Sequence, residues 1–292
     1  MSTIASGRSS PFKVLGESPH LTPEMVHVGL VGCGTIGTQL ALAVERRYAR
    51  LARVTALCDV DRARARALAQ RLTPPPPIVS LSTLIRRSHV VVEAASAEVA
   101  GPLVAQALRL HRHVMVMSVG GLLNDTTWRR VAGRSHGRVY IPSGALAGLD
   151  GVRALAIGRL RRVSLTTRKP PRAFLSAPAV RRRGLRLERL KRPSLLFDGS
   201  PQAVVKAFPQ NTNVAAALVL ACGSARVQPR VRIVADPSIR RNTHELDIEG
   251  DCGRIRCLVE SRPSRNPKTS ELAVRSAIAT LQRLFDTVVI GT

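Results

Sequence analysis

Gly32, Gly34 and Gly37 stand at the spacing Gly-x-Gly-x-x-Gly, right after the apolar run of residues 26–31. A helical pattern follows, with Ile36, Leu40, Ala41 and Val44 on one face. In such a strand–turn–helix, the first glycine permits a tight turn and the second a close approach of backbone to a pyrophosphate. The third lets the helix pack closely on the strand. The free N–H groups of the helix start, at Thr35 and Ile36, and its positive dipole end attract phosphates. A second apolar strand, residues 53–59, ends on Asp59, about 20 positions past the glycines. A carboxylate there accepts hydrogen bonds from the adenosine ribose hydroxyls and repels a 2′-phosphate, which favours NAD. Arg62, close by, can accommodate the phosphate of NADP. Asp59 is also placed to cap the helix expected over residues 61–72.

The elements that must hold these residues alternate between strand and helix. After the proline connector 74–77 come a short helical piece (81–86), a strand (90–96), a helix (99–110), a strand (113–118), one more helix and a strand (138–141). Repeated units of this kind give a parallel sheet covered on both faces. Ligands bind beyond the carboxyl ends of such strands, which places Ala95, Ser96 and Ser118 beside the dinucleotide. We therefore expect an α/β protein: a Rossmann-type parallel-sheet domain over residues 26–147, then an α+β domain over 148–267 that carries the substrate. In the second domain, strand-like segments at 163–169, 195–198, 231–236, 243–248 and 254–260 suggest a mostly antiparallel sheet. Helices are expected at 201–207 and 213–221, with Asn213 as the cap of the second. Residues 170–193, rich in Pro and Arg, read as a basic insertion or long loop. A final helix over 269–285, within the segment 268–292, is expected to return to the first domain. Residues 1–25 read as a disordered extension without the apolar core of a secretory signal.

With 45% hydrophobic and 22% charged residues in 292, the chain is globular and able to bury a core. No apolar run approaches the roughly 18 residues of a membrane span. The five cysteines are odd in number and scattered, which fits free thiols in a reducing cytoplasm and no metal site. A net charge of +26 attracts anionic partners, but the arginines are spread out and aromatics are only 3%. Nucleic acid is therefore not the expected partner.

Several stretches together resemble one family, the L-aspartate dehydrogenases. They are Gly29-Leu-Val-Gly-Cys-Gly-Thr-Ile-Gly37, Val92-Glu-Ala-Ala-Ser96, Ser118-Val-Gly120 and Tyr140-Ile-Pro-Ser-Gly-Ala-Leu-Ala-Gly-Leu-Asp150, followed by Leu165-Thr-Thr-Arg-Lys169 and Phe208-Pro-Gln-Asn-Thr-Asn-Val-Ala-Ala216. Val234-Ala-Asp236, Asn242-Thr-His-Glu245 and Asn266-Pro-Lys-Thr-Ser270 complete the set. Gly121 and Thr243 depart from the family pattern, and the loop at 170–193 is longer. The resemblance implies NAD(P)-dependent oxidation of L-aspartate to iminoaspartate, which hydrolyses to oxaloacetate and ammonia or feeds quinolinate and NAD biosynthesis. It also implies a homodimer, a catalytic His244, and dinucleotide contacts at Ala145 and Asn211.

Histidine suits the proton exchange such a reaction needs, its ordinary pKa being about 6.5. On a strand, Asn242 and His244 share one face, so Asn242 is a candidate for the substrate. Two substrate carboxylates call for N–H and cationic donors. Lys268 and Thr269, at an expected helix start, supply one set. Thr166, Thr167, Arg168 and Lys169 offer another, of which alternate members can face the site. The competing readings are a dihydrodipicolinate reductase-like or homoserine dehydrogenase-like enzyme, or a non-catalytic nucleotide- or nucleic-acid-binding protein. The Asn-Thr-His-Glu and Asn-Pro-Lys-Thr motifs count against the other enzymes.

Overall fold

The computed structural model describes residues 25–209, 213–223, 225, 227–264, 270–286, 288 and 290–291. Its first half is a parallel sheet in the order β2-β1-β3-β4-β5. The strands are β1 (Val26–Val31), β2 (Ala52–Cys58), β3 (Val90–Glu93), β4 (His113–Val116) and β5 (Val139–Tyr140). Val28, Leu30, Val90, Val92, Val114 and Met115 are all buried, as expected of strands covered on both faces. The covering helices are α1 (Thr35–Arg47), α2 (Arg62–Ala69), α3 (Leu81–Arg87), α4 (Ala97–Arg109), α5 (Gly121–Asn124) and α6 (Thr127–Ala132). The chain leaves β1 to one side for β2 and returns on the other for β3. That reversal opens a crevice at the carboxyl ends of the strands.

A helix that the sequence reading lacked, α7 (Leu149–Ile157), leads into the second sheet. Its strands are β6 (Leu160–Lys169), β7 (Ser194–Gly199), β8 (Arg230–Ala235), β9 (Asn242–Gly250) and β10 (Arg254–Ser261), in the order β10-β9-β6-β8-β7. All neighbours are antiparallel except β6 and β8. The inward face carries Val163, Leu165, Val231, Ile233, Leu246 and Ile248. These pack with residues of α9 (Pro201–Ala207) and α10 (Asn213–Ala221). The outward face carries Arg162, Arg230 and Arg254, which pair with Asp247, Glu249 and Asp198.

The stretch 170–193 is not the loose basic loop its composition suggests. It holds the short helix α8 (Pro178–Arg182) and buries Phe174, Ala177, Val180 and Leu187 in the core of the second sheet. The apolar residues, spaced among the arginines, anchor it. The last helix, α11 (Glu271–Gln282), starts later than expected because Ser270 caps it, its hydroxyl accepting from Ala273 N at 3.2 Å. Ala277 and Leu281 of α11 are fully buried in the core of the first sheet, which also holds Leu40 and Val44 of α1.

Candidate active site

One wall of the cleft is the glycine turn. Gly34 precedes α1, no side chain caps that helix, and its first turn holds no acidic residue. A Cβ added to Gly34 meets nothing within 4 Å, so the helix amides face open space. Gly32 has φ +93°, and a Cβ there would come 2.5 Å from the carbonyl of Ala94. A Cβ on Gly37 would run into the carbonyl of Gly32. Uncapped amides beside an open glycine, with no acidic residue in the first turn of the helix, fit a dinucleotide pyrophosphate.

Asp59 ties this turn to the end of β2. Its Oδ2 accepts from Cys33 N at 2.6 Å and its Oδ1 from Asp61 N at 2.8 Å. The capping of α2 falls to Asp61 instead, whose carboxylate accepts from Ala63 N and Arg64 N. Each Asp59 oxygen still has a lone pair for a ribose hydroxyl.

The next two strand ends are braced by a residue that sequence reasoning passed over. Glu93 is fully buried; its Oε1 accepts from Ala95 N at 2.8 Å and its Oε2 from Ser118 N at 2.9 Å. Burial pushes its pKa up, against the opposing pull of the Ser118 and Ala95 amides. Ala95, Ser96 and Ser118 therefore lie on adjacent turns, Ser96 at the start of α4. Asn213 does not cap α10 with its side chain. It crosses to the β4 turn, its Oδ1 accepting from Gly120 N at 3.2 Å and its Nδ2 donating to Met117 O at 2.9 Å.

The opposite wall comes from the second sheet. Ile36, Ser143, Gly144, Ala145, Lys169, Asn213, Asn242, His244 and Ser270 line one cleft between the two sheets. His244 and Asn242 are buried on the same face of β9. Thr167 of β6 lies directly opposite His244, and its Oγ1 is 3.0 Å from His244 Nδ1. The imidazole does not keep the ordinary value the sequence reading assumed. Burial, and then the nearby Lys169 charge, push it down to about 3, so it is neutral. Burial also lowers Lys169, to about 8.

Ala145 is buried in the cleft lining, and its neighbour Gly144 donates its N–H to Ser276 Oγ of α11 at 2.9 Å. Asn211, Lys268 and Thr269 lie outside the described residues. Thr167 and Lys169 stood in the sequence as two of four donors; their alternation along β6 put them on one face, but only the register with β9 selects that face. Glu93 and Asn213 act through long-range contacts that local pattern does not carry. The described residues contain no cluster of three or more His, Cys, Asp or Glu side chains that could hold a metal.

A phosphate-ready helix on one wall, facing a buried neutral imidazole on the other, makes this the cleft of a two-domain dinucleotide-dependent oxidoreductase. Residues 150–284 match the family model for the aspartate dehydrogenase C-terminal domain, and residues 32–142 match the homoserine dehydrogenase NAD-binding domain. An L-aspartate dehydrogenase of Methanosarcina mazei is 41% identical over 274 residues, covering 92% of this chain and 100% of that protein. One from Methanosarcina barkeri is 40% identical over 273 residues, with the same coverage. The crystal structure of aspartate dehydrogenase from Thermotoga maritima superimposes with a TM-score of 0.67 at 26% identity, covering 92% of this chain and all of that one. The chain belongs to the L-aspartate dehydrogenase family.

Proposed function

We propose that this cleft oxidises L-aspartate to iminoaspartate, which hydrolyses to oxaloacetate and ammonia. The observation that carries this reading is that Ile36, at the start of the phosphate-ready helix, and the buried His244 line the same cleft. The nicotinamide of NAD or NADP, when bound, accepts the hydride that leaves the substrate Cα. The chain supplies the rest. The α1 amides and Asp59 hold the phosphates and the ribose, and Ala95, Ser96, Ser118, Ala145 and Asn211 shape the remaining dinucleotide site.

His244 takes the proton that the substrate ammonium must lose before an imine can form. For that role its Nδ1–H donates to Thr167 Oγ1, leaving the Nε2 lone pair as the acceptor. A neutral imidazole held near pKa 3 is ready to accept but weakly basic. A seated dicarboxylate brings negative charge beside Lys169 and His244, which raises that basicity when substrate arrives. Asn242, Lys268 and Thr269 are the proposed substrate contacts, as donors for carboxylate oxygens.

We further place the enzyme in the cytoplasm as a homodimer, with iminoaspartate available to quinolinate and NAD biosynthesis. Free thiols at Cys33, Cys58, Cys222, Cys252 and Cys257 support the first assignment. No described helix is long and apolar enough to cross a membrane. The test is NADH or NADPH formation from L-aspartate at alkaline pH. Turnover that requires His244 supports the reading; its absence, in a protein that binds NAD, removes it.

A further inference from the structure

The inward face of the second sheet holds a row of polar side chains next to the Thr167–His244 pair. Ser261 of β10 pairs in register with Asn242 of β9. Lys169, two residues beyond Thr167 on β6, continues that row on the far side of Asn242. All three are buried. Neither amide atom of Asn242 has a hydrogen-bond partner, and neither has Ser261 Oγ. Buried polar atoms are nearly always satisfied, so two orphaned neighbours in one register call for a group that fills them. Lys169 and Asn242 both line the cleft, so the row meets the space where a substrate would sit.

We propose that Lys169, Asn242 and Ser261 form the seat for the substrate carboxylate farther from Cα, and so select a dicarboxylic amino acid. The Lys169 ammonium, the Asn242 amide N–H and the Ser261 hydroxyl are all donors, and a carboxylate is acceptor-only with lone pairs for each. Successive inward-facing rows along a strand lie about 7 Å apart. That separation leaves His244 over the amine at Cα while the side-chain carboxylate reaches the next row. An amide in place of that carboxylate loses the charge partner of a buried ammonium. At neutral pH Lys169, held at about 8, remains cationic.

This inference rests on the aspartate dehydrogenase reading, and the test separates the two. Succinate, a dicarboxylate without the amine, is titrated calorimetrically with and without NAD against the wild type, Lys169→Met, Lys169→Arg and Ser261→Ala. Steady-state kinetics with L-aspartate and L-asparagine run in parallel, with NAD affinity as the check on folding. Loss of a charge-assisted hydrogen bond predicts a roughly 10–100-fold weaker succinate Kd and a matching rise in aspartate KM for Lys169→Met. The arginine variant restores part of both, and kcat falls less than KM rises. Ser261→Ala shows the same direction, more weakly, and serves alone if Lys169→Met does not fold. The preference for aspartate over asparagine shrinks in Lys169→Met. Unchanged succinate Kd and aspartate KM in an active enzyme overturn the seat and leave the function standing. Lys169-dependent succinate binding in a protein that does not oxidise aspartate keeps the seat and removes the function. Equal losses for aspartate and asparagine overturn the assignment to the distal carboxylate.

Discussion

The hydroxyl of Thr167 lies 3.0 Å from Nδ1 of His244, across the pairing of β6 with β9. Both side chains are buried. This contact fixes the ring and decides which nitrogen faces the cleft, so the histidine's chemistry is set by the neighbouring strand. Thr167→Val keeps the shape and removes the partner. We expect kcat for aspartate to fall about 10-fold or more, since one unmade buried hydrogen bond costs about 1–3 kcal/mol. The acidic limb of the kcat–pH profile should shift, while NAD affinity stays constant. Thr167→Ser should recover most of the rate; if it does not, the hydroxyl is not the positioning group.

His244→Ala removes the group proposed as the proton acceptor. General-base removal typically costs about 10²–10⁴ in rate. The expected result is a loss of kcat in that range with NAD binding preserved, checked by stopped-flow single turnover and by nucleotide titration. An activity near the wild-type level in this variant would falsify the assigned role.

The same residue gives a stability prediction. Its folded value of about 3 lies below the ordinary value of about 6.5, so the unfolded chain takes up the proton first as pH falls. Its contribution is therefore fully present above about pH 6.5 and is lost progressively towards pH 3. Lys169, at about 8 in the fold against about 10.4 unfolded, makes stability rise between those values. Urea midpoints measured across pH should fall more shallowly on the acid side in His244→Asn. In Lys169→Met the alkaline rise should vanish.

Asp59 holds the glycine turn through Cys33 N, and it is the residue proposed for the ribose. Asp59→Ala should raise the KM for NAD by about 10-fold or more, as two backbone amides lose their acceptor. With the repelling carboxylate gone and Arg62 nearby, the ratio of NAD to NADP efficiency should drop. Kinetics with both nucleotides measure this directly, and an unchanged ratio would remove the ribose role.

Glu93 spans the turns after β3 and β4 with a single carboxylate. Glu93→Gln replaces one acceptor with a donor facing a backbone N–H. A stability loss of about 1–3 kcal/mol follows, with weaker NAD binding. Urea melts and fluorescence titration test both; equal midpoints for the two proteins would show that the bridge carries no weight.

Much of this molecule is legible locally. The glycine spacing, the apolar strand before it and the acidic residue after it act within one strand–helix–strand unit, and the strand, the helix and the second strand form where the pattern puts them. What stayed hidden depends on contacts between distant segments. Asn213 sits where a cap belongs, yet its amide finds better partners some 95 residues away, in the turn after β4. Lys169 shares a face with Thr167 by simple alternation, but which face looks into the cleft depends on pairing with β9. The value assumed for His244 failed for the same reason, because burial is a property of the assembled core. In the stretch 170–193 the arginines masked Phe174, Val180 and Leu187, which hold it down.

The last helix contributes Ala277 and Leu281 to the core of the first sheet, from the far end of the chain. A ribosome making this protein releases the nucleotide-binding strands long before the piece that completes them. Until that piece emerges, the first half exposes an unfilled apolar groove along α1, and chaperones would meet it in that state.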